Sequence, residues 1–128
     1  MKRFKGSLTF IVEITKTGYS AYSEHNIFST GKNLYELSAN LQEASNLFYQ
    51  DQGYEVEIDQ IKLKFNLKDF FKSYRVINAH FLAKKIGLNP TLLSQYVNGQ
   101  KEPSPKQFQK IVSGLQSIGK ELMGIELM

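Results

Sequence analysis

The chain contains no cysteine, which rules out disulfides, thiolate zinc sites and cysteine nucleophiles together. Histidine is almost as scarce. His25 and His80 stand nearly half the chain apart, with no HxH or HExxH spacing, so neither a zinc site nor imidazole catalysis is expected. No apolar run approaches the ~20 residues of a bilayer span. The basic opening Met1-Lys2-Arg3-Phe4-Lys5 gives way to Gly6-Ser7-Leu8-Thr9-Phe10 before a secretory apolar core can form. A soluble, cytoplasmic protein without a membrane partner is expected. No stretch rich in proline, glycine or serine marks a linker, and neither repeats nor low-complexity segments occur. What is present is an ordinary globular composition, 41% hydrophobic and 22% charged over 128 residues. That suffices for one domain, or for two of about 60 residues each.

Charge divides the chain. Residues 1–64 hold seven Lys/Arg against eight Asp/Glu, a net of −1, whereas residues 65–128 hold nine against four, a net of +5. With Lys2, Arg3 and Lys5 set aside, the first half falls to −4. A cationic module suits phosphates, and an acidic one suits a basic partner.

The hydrophobic period changes at the same place. Leu8, Phe10, Val12 and Ile14 alternate as on a half-buried strand, Lys16-Thr17-Gly18 reads as a hairpin turn, and Tyr19, Ala21 and Ser23 continue on a second strand. Ile27 to Thr30 is a short third strand ended by Gly31. Asn33 with Glu36 has the form of a capping box, and Leu34, Leu37, Leu41, Ala44 and Phe48 then share one helix face. Asp51-Gln52-Gly53 stops the helix. From Tyr54 to Phe65 strand character returns, but Val56 and Ile58 have one parity and Ile61, Leu63 and Phe65 the other, which demands a bulge or a new pairing partner near Asp59-Gln60. The reading is β-β-β-α-β over residues 1–65 and all-helical over 66–128, an α+β chain with its boundary near Phe65-Asn66-Leu67.

In the second module, Leu67, Phe70, Phe71 and Tyr74 form one short stripe and Ile77, Phe81 and Leu82 another. Asn78 caps a helix over 79–86, Gly87 turns the corner in the left-handed conformation, and Leu88 plugs it. Asn89 caps the next helix and Pro90 opens it, where a missing N–H costs nothing. Leu93 and Tyr96 face inward. Ser104, Pro105 and Gln107 announce a last helix with Phe108, Ile111, Val112, Leu115 and Ile118 on its buried side, and 121–128 is left open between helix and extended chain. Two helices joined at such a corner can present the second end-on to the major groove. Pro90, Thr91, Leu92 and Gln95 are then the residues expected to meet base edges, with Gln95 able to pair bidentately with adenine and Leu92 to touch a thymine methyl. Asn78, His80, Lys84, Lys85, Asn98, Lys101 and Lys106 are expected on phosphates, fixing register without reading sequence.

The segment resembles phage-repressor and Cro-like domains of the XRE class through Leu82-Ala83-x-x-Ile86-Gly87-Leu88, Leu93-Ser94-Gln95-Tyr96 and Asn98-Gly99-x-x-x-Pro103-Ser104. Over nearly its full length the chain resembles the HicB antitoxins of type II toxin-antitoxin systems, in the branch with such a domain. The first half matches in Gly18-Tyr19-Ser20-Ala21-Tyr22, Gly31 and Asn40-Leu41-Gln42-Glu43-Ala44, and the second in Phe70-Phe71, Val76-Ile77-Asn78, Asn89-Pro90-x-Leu92-Leu93-x-Gln95-Tyr96 and Gly114-Leu115-x-x-x-Gly119-x-Glu121-Leu122. It departs from the commonest family form at Asn26-Ile27-Phe28, where a Pro-Gly turn is usual. The resemblance implies a degenerate ribonuclease H-like first module that masks a small basic ribonuclease toxin, HicA. It also implies dimers or tetramers that bind operator DNA ahead of their own genes. The rival reading is a free-standing helix-turn-helix regulator whose first module senses a ligand or only dimerises.

Catalytic readings fare worse. A ribonuclease H centre needs clustered carboxylates around two metal ions, yet Glu13, Glu24, Glu55, Glu57 and Asp59 include no aspartate central on the first strand. Gly31-Lys32-Asn33 lacks the earlier glycine and the Ser or Thr of a phosphate-binding loop. Tyr19, Tyr22 and Phe28 lie on adjacent strands without the basic interleaving of an RNA platform. No enzyme activity, cofactor or metal is expected.

Overall fold

A computed structural model describes residues 1–128 and divides the chain into two compact units, Met1–Asn66 and Leu67–Met128. The first contains β1 (Lys2–Arg3), β2 (Leu8–Ile14), β3 (Tyr19–Tyr22), β4 (Phe28–Gly31), α1 (Leu34–Tyr49), β5 (Tyr54–Glu55) and β6 (Ile61–Lys64). The second contains α2 (Leu67–Ser73), α3 (Ala79–Ile86), α4 (Pro90–Val97) and α5 (Pro105–Met123).

In the first unit the main sheet has the order β4-β3-β2-β6. β2, β3 and β4 form an antiparallel meander, and α1 carries the chain back so that β6 pairs parallel to β2, Leu8 opposite Ile61 and Phe10 opposite Leu63. The alternation seen along β2 is the alternation of its burial: Leu8, Phe10 and Val12 are buried while Thr9, Ile11 and Glu13 are exposed. Between β3 and β4, Asn26 takes a left-handed φ of 60°, a conformation Asn tolerates better than most residues, and Ser23 N donates to Ile27 O to close the turn. Ile27 is buried just ahead of the strand, which runs Phe28–Gly31 and so starts and ends one residue later than expected.

Gly31 sits where helix meets sheet. A Cβ there would lie 2.4 Å from Leu37 N and 2.6 Å from Leu37 Cα, so only glycine lets α1 settle this close. Asn33 Oδ1 accepts from Glu36 N at 2.8 Å, the only half of the expected capping box that forms. The buried helix positions are Leu37, Leu41, Ser45 and Tyr49, not the stripe ending in Ala44 and Phe48. Tyr49 wins the last place because its ring packs on Phe4 at 4.8 Å, leaving Phe48 45% exposed.

This rotation buries Ser45 with a hydroxyl that has no hydrogen-bond partner. An unsatisfied buried hydroxyl costs more than the hydrogen bonds it forgoes are worth elsewhere. Ser45→Ala is therefore expected to raise stability by about 1 kcal/mol, aided by the better helix propensity of alanine. A thermal melt of the variant that fell below wild type would refute this.

The parity break between Val56 and Ile61 is a change of partner made through a 3-10 turn at Ile58–Gln60, not a bulge within one strand. Before the turn β5 pairs with β1, and after it β6 pairs with β2. Val56, between the two, is matched by side chains instead: Asn46 Oδ1 accepts from its N–H at 2.6 Å, and Asn46 Nδ2 and Gln42 Nε2 both donate to its carbonyl at 3.2 Å. Gln60, only 3% exposed, accepts from Glu57 N and donates to the carbonyls of Phe4 and Gly6. Every polar end of that buried amide is used.

The second unit packs around Phe71, Leu82, Ala83, Leu88, Leu93, Tyr96 and Ile111. Phe81 and Phe108, expected in its stripes, are instead 64% and 40% exposed. Leu82 and Ala83 take the inward positions of α3, and Ile111, Leu115 and Ile118 those of α5. A Cβ on Gly114 would fall 2.3 Å from Ile86 Cγ2, so α5 approaches the end of α3 at a residue with no side chain. α5 ends at Met123, and 125–128 carry no helix or strand.

Candidate nucleic-acid interface

Four capping devices set the direction of α4. Asn78 Oδ1 accepts from Phe81 N at 3.2 Å and starts α3. At its far end Gly87 adopts φ 74°, and Leu88 N reaches back to Ala83 O at 2.8 Å, which turns the chain sharply and drops Leu88 into the core at 8% exposure. Asn89 Oδ1 then accepts from both Thr91 N and Leu92 N, at 2.8 and 3.2 Å, with Pro90 in the first turn. At the end of α4, Gly99 (φ 76°) sits past the cap, Gly99 N bonds Tyr96 O and Gln100 N bonds Gln95 O. That pair of bonds is a Schellman closure. A helix fixed at both ends, with Leu93 fully buried and Tyr96 7% exposed beneath it, can offer only its other side to a partner.

That side is polar. Thr91, Ser94 and Asn98 are exposed and Gln95 half-buried; Asn98 Nδ2 donates to Ser94 Oγ at 3.4 Å. Pro90 is half-buried at the helix start, and Leu92 packs partly against the core. Of the four residues expected at base edges, Thr91 and Gln95 therefore have the freest polar groups, while Leu92 is divided between core and surface. Ser94 was not anticipated, although its position three residues after Thr91 is a helical step that puts both on one side.

The expected phosphate contacts Asn78, His80, Lys84, Lys85, Asn98, Lys101 and Lys106 are all exposed. They are not equally free. Lys85 Nζ is 3.1 Å from Glu121 Oε2, and Lys84 Nζ lies 5.7 Å from the Phe81 ring centroid. His80 stands edge-on to the same ring. Lys101 and Lys106 follow α4 and open α5. Lys110, also unanticipated, donates to Gly87 O at 3.1 Å and so steadies the corner itself. No sequence signal joins residues 23 apart in this way.

Elsewhere, no three His, Asp or Glu side chains come together as a metal would require, and Asp59 is held by Arg3 in a two-pronged ion pair at 2.8 and 3.0 Å. No helix is long and apolar enough to cross a membrane.

No curated protein and no solved structure matches the chain. Residues 77–119, from the turn ahead of α3 into the second half of α5, do match the helix-turn-helix family model. The carboxyl-terminal unit thus contains a helix-turn-helix domain, the kind of domain through which transcriptional regulators bind DNA.

Proposed function

We propose that this protein is an antitoxin and autorepressor that acts by binding and not by catalysis: its second unit grips operator DNA and its first neutralises a small basic HicA-like ribonuclease. The observation that carries the DNA half is the row of exposed Thr91 and Ser94 and half-buried Gln95 on a helix capped at both ends, within the cationic half of the chain. The antitoxin half draws support from the residues of the first half that resemble HicB, from the β-β-β-α-β order of the main sheet and its connecting helix, and from the net charge of −4 that the first half carries once Lys2, Arg3 and Lys5 are set aside. The protein works in the cytoplasm as a dimer or higher oligomer.

DNA containing the region upstream of the gene serves as the probe. Gln95→Ala is expected to weaken preference at one base position by about 1–3 kcal/mol while leaving other positions alone. Lys101→Ala is expected to weaken all sequences alike and to lower the slope of log K against log salt by about one. A uniform loss for Gln95→Ala would remove it from base reading. For the antitoxin half, the full chain is expected to co-purify with the product of a neighbouring gene encoding a small basic protein and to protect RNA from it. Continued cleavage at saturating antitoxin would leave the stand-alone regulator as the better account.

A further inference from the structure

In the first unit β3 accompanies only part of β2. Their pairing runs from Ile14 opposite Tyr19 to Ile11 opposite Tyr22, and there β3 ends. Ser23 turns the chain away, its N–H donating to Ile27 O and its carbonyl accepting from Asn26 N. Leu8, Thr9 and Phe10 of β2 are left with β6 on one side and no strand on the other. Alternate residues of a strand turn their backbone groups to opposite neighbours. Thr15 N donates to Gly18 O on the β3 side, so Ile11 and Thr9, at even steps from it, face that side too. Ile11 meets Tyr22 there, whereas the N–H and C=O of Thr9 meet no strand. A cavity of about 450 Å³ opens at this place, a size ordinary for a ligand site. Thr9, Ile11 and Tyr22 line it from the face away from α1, and Phe4, Leu8 and Tyr49 from the α1 face. A hollow walled from both faces lies in the plane of the sheet, where β3 would have continued.

We infer that this slot receives the free amino-terminal segment of another polypeptide, added as a short antiparallel strand beside Thr9. An unpaired strand edge recognises main chain, and pockets beside it select alternate side chains. Where β3 stops sets the direction. β3 already fills the place opposite Ile11, so a guest strand antiparallel to β2 begins near Glu24 and runs toward Ser7. Its leading end is then an ammonium. Glu24, exposed and in no ion pair, lines the cavity to meet it. The opposite direction would press a terminal carboxylate onto Glu24, a like charge. Lys64, the cation of the lining, stands beside Ile11 in the β6 register and not at the Ser7 end. Nothing at the Ser7 end therefore selects a carboxylate, and a longer chain can leave there. Strand alternation turns every second guest side chain to the α1 face, onto Phe4, Leu8 and Tyr49, which favours an apolar residue at that place. Nucleic acid fits less well, because Glu24 offsets Lys64 and leaves no excess of cations for phosphates.

The slot depends neither on DNA reading nor on toxin neutralisation, so its test uses neither. The probe is the tripeptide amide alanyl-leucyl-alaninamide, titrated to about 2 mM into the nitrogen-15-labelled full chain and followed through backbone amide signals. The amides of Ser7, Thr9 and Ile11 are expected to shift together, and exchange of the Thr9 N–H to slow about tenfold at saturation. The amino-acetylated peptide is expected to bind about tenfold more weakly, and Glu24→Gln to bring the two peptides within about twofold of each other. The free-acid peptide is expected to bind as the amide does. If Glu24→Gln fails to fold, the comparison of free and acetylated peptides on the wild type decides the matter by itself. Silence at Thr9 up to the highest concentration, equal binding of free and acetylated peptides, or clearly tighter binding of the free acid would each overturn the inference. So would uridine shifting Thr9 where the peptide does not, since the slot would then take a nucleobase.

Discussion

Gly31→Ala is expected to cost more than about 3 kcal/mol, a large share of the 5–15 kcal/mol that holds an ordinary domain together. The added methyl would meet Leu37 N at 2.4 Å and Leu37 Cα at 2.6 Å. Both are backbone atoms of α1, so no side chain can swing aside. The helix must lift from the sheet, and Leu37 and Leu41, both wholly buried, lose part of a burial worth about 1.5–3 kcal/mol each, in addition to the 1–3 kcal/mol usual for overpacking. Gly53→Ala makes the control. Gly53 has a φ of 79° with nothing within 4 Å of the added atom, so its substitution carries only conformational strain of roughly 1–2 kcal/mol. Urea melts of the two variants separate close approach from backbone conformation. Equal midpoints would show that α1 does not rest on Gly31 as described.

Leu93→Ala is expected to abolish DNA binding at 37 °C without touching a polar group of the interface. Leu93 is wholly buried beneath α4, and a buried leucine truncated to alanine typically costs about 2–5 kcal/mol. A unit of this size has little to spare. The loss of binding should follow the thermal melt and recover on cooling, because the defect is in holding α4 and not in reading bases. Gln95→Ala, half-exposed, is expected to leave the melt within about 0.5 kcal/mol of wild type while changing base preference. Should Leu93→Ala melt like wild type and still lose DNA, Leu93 would belong to the contact surface instead of the core.

These two residues also mark how differently the halves could be read. In the second unit almost everything that places α4 is local: Asn78, Gly87, Asn89, Pro90 and Gly99 act within a few residues of themselves, and their chemistry is visible in a linear sequence. In the first unit the meander and helix were legible from period and caps, but the outcome at Val56–Gln60 was not. Parity demanded an interruption there; only the pairing of β5 with β1, 52 residues away along the chain, settled that it is a 3-10 turn between two sheets. The errors at Phe48, Phe81 and Phe108 share one cause. Helical periodicity gives a stripe more than 100° wide, and which of its edges is buried depends on neighbours such as Phe4 against Tyr49 that periodicity does not encode.

By itself the sequence determined the meander and its helix, the helices of the second unit, the corner at Gly87 and the charge asymmetry that sets a basic helical half against a nearly neutral mixed one, because each arises from short-range sterics, capping or composition. Tertiary structure alone decided that Lys110 holds the corner, that Lys85 is shared with Glu121, and that Ile11, Tyr22 and Phe28 meet on an open sheet face. Those are pairings between residues separated along the chain, and chain order carries no distance through space.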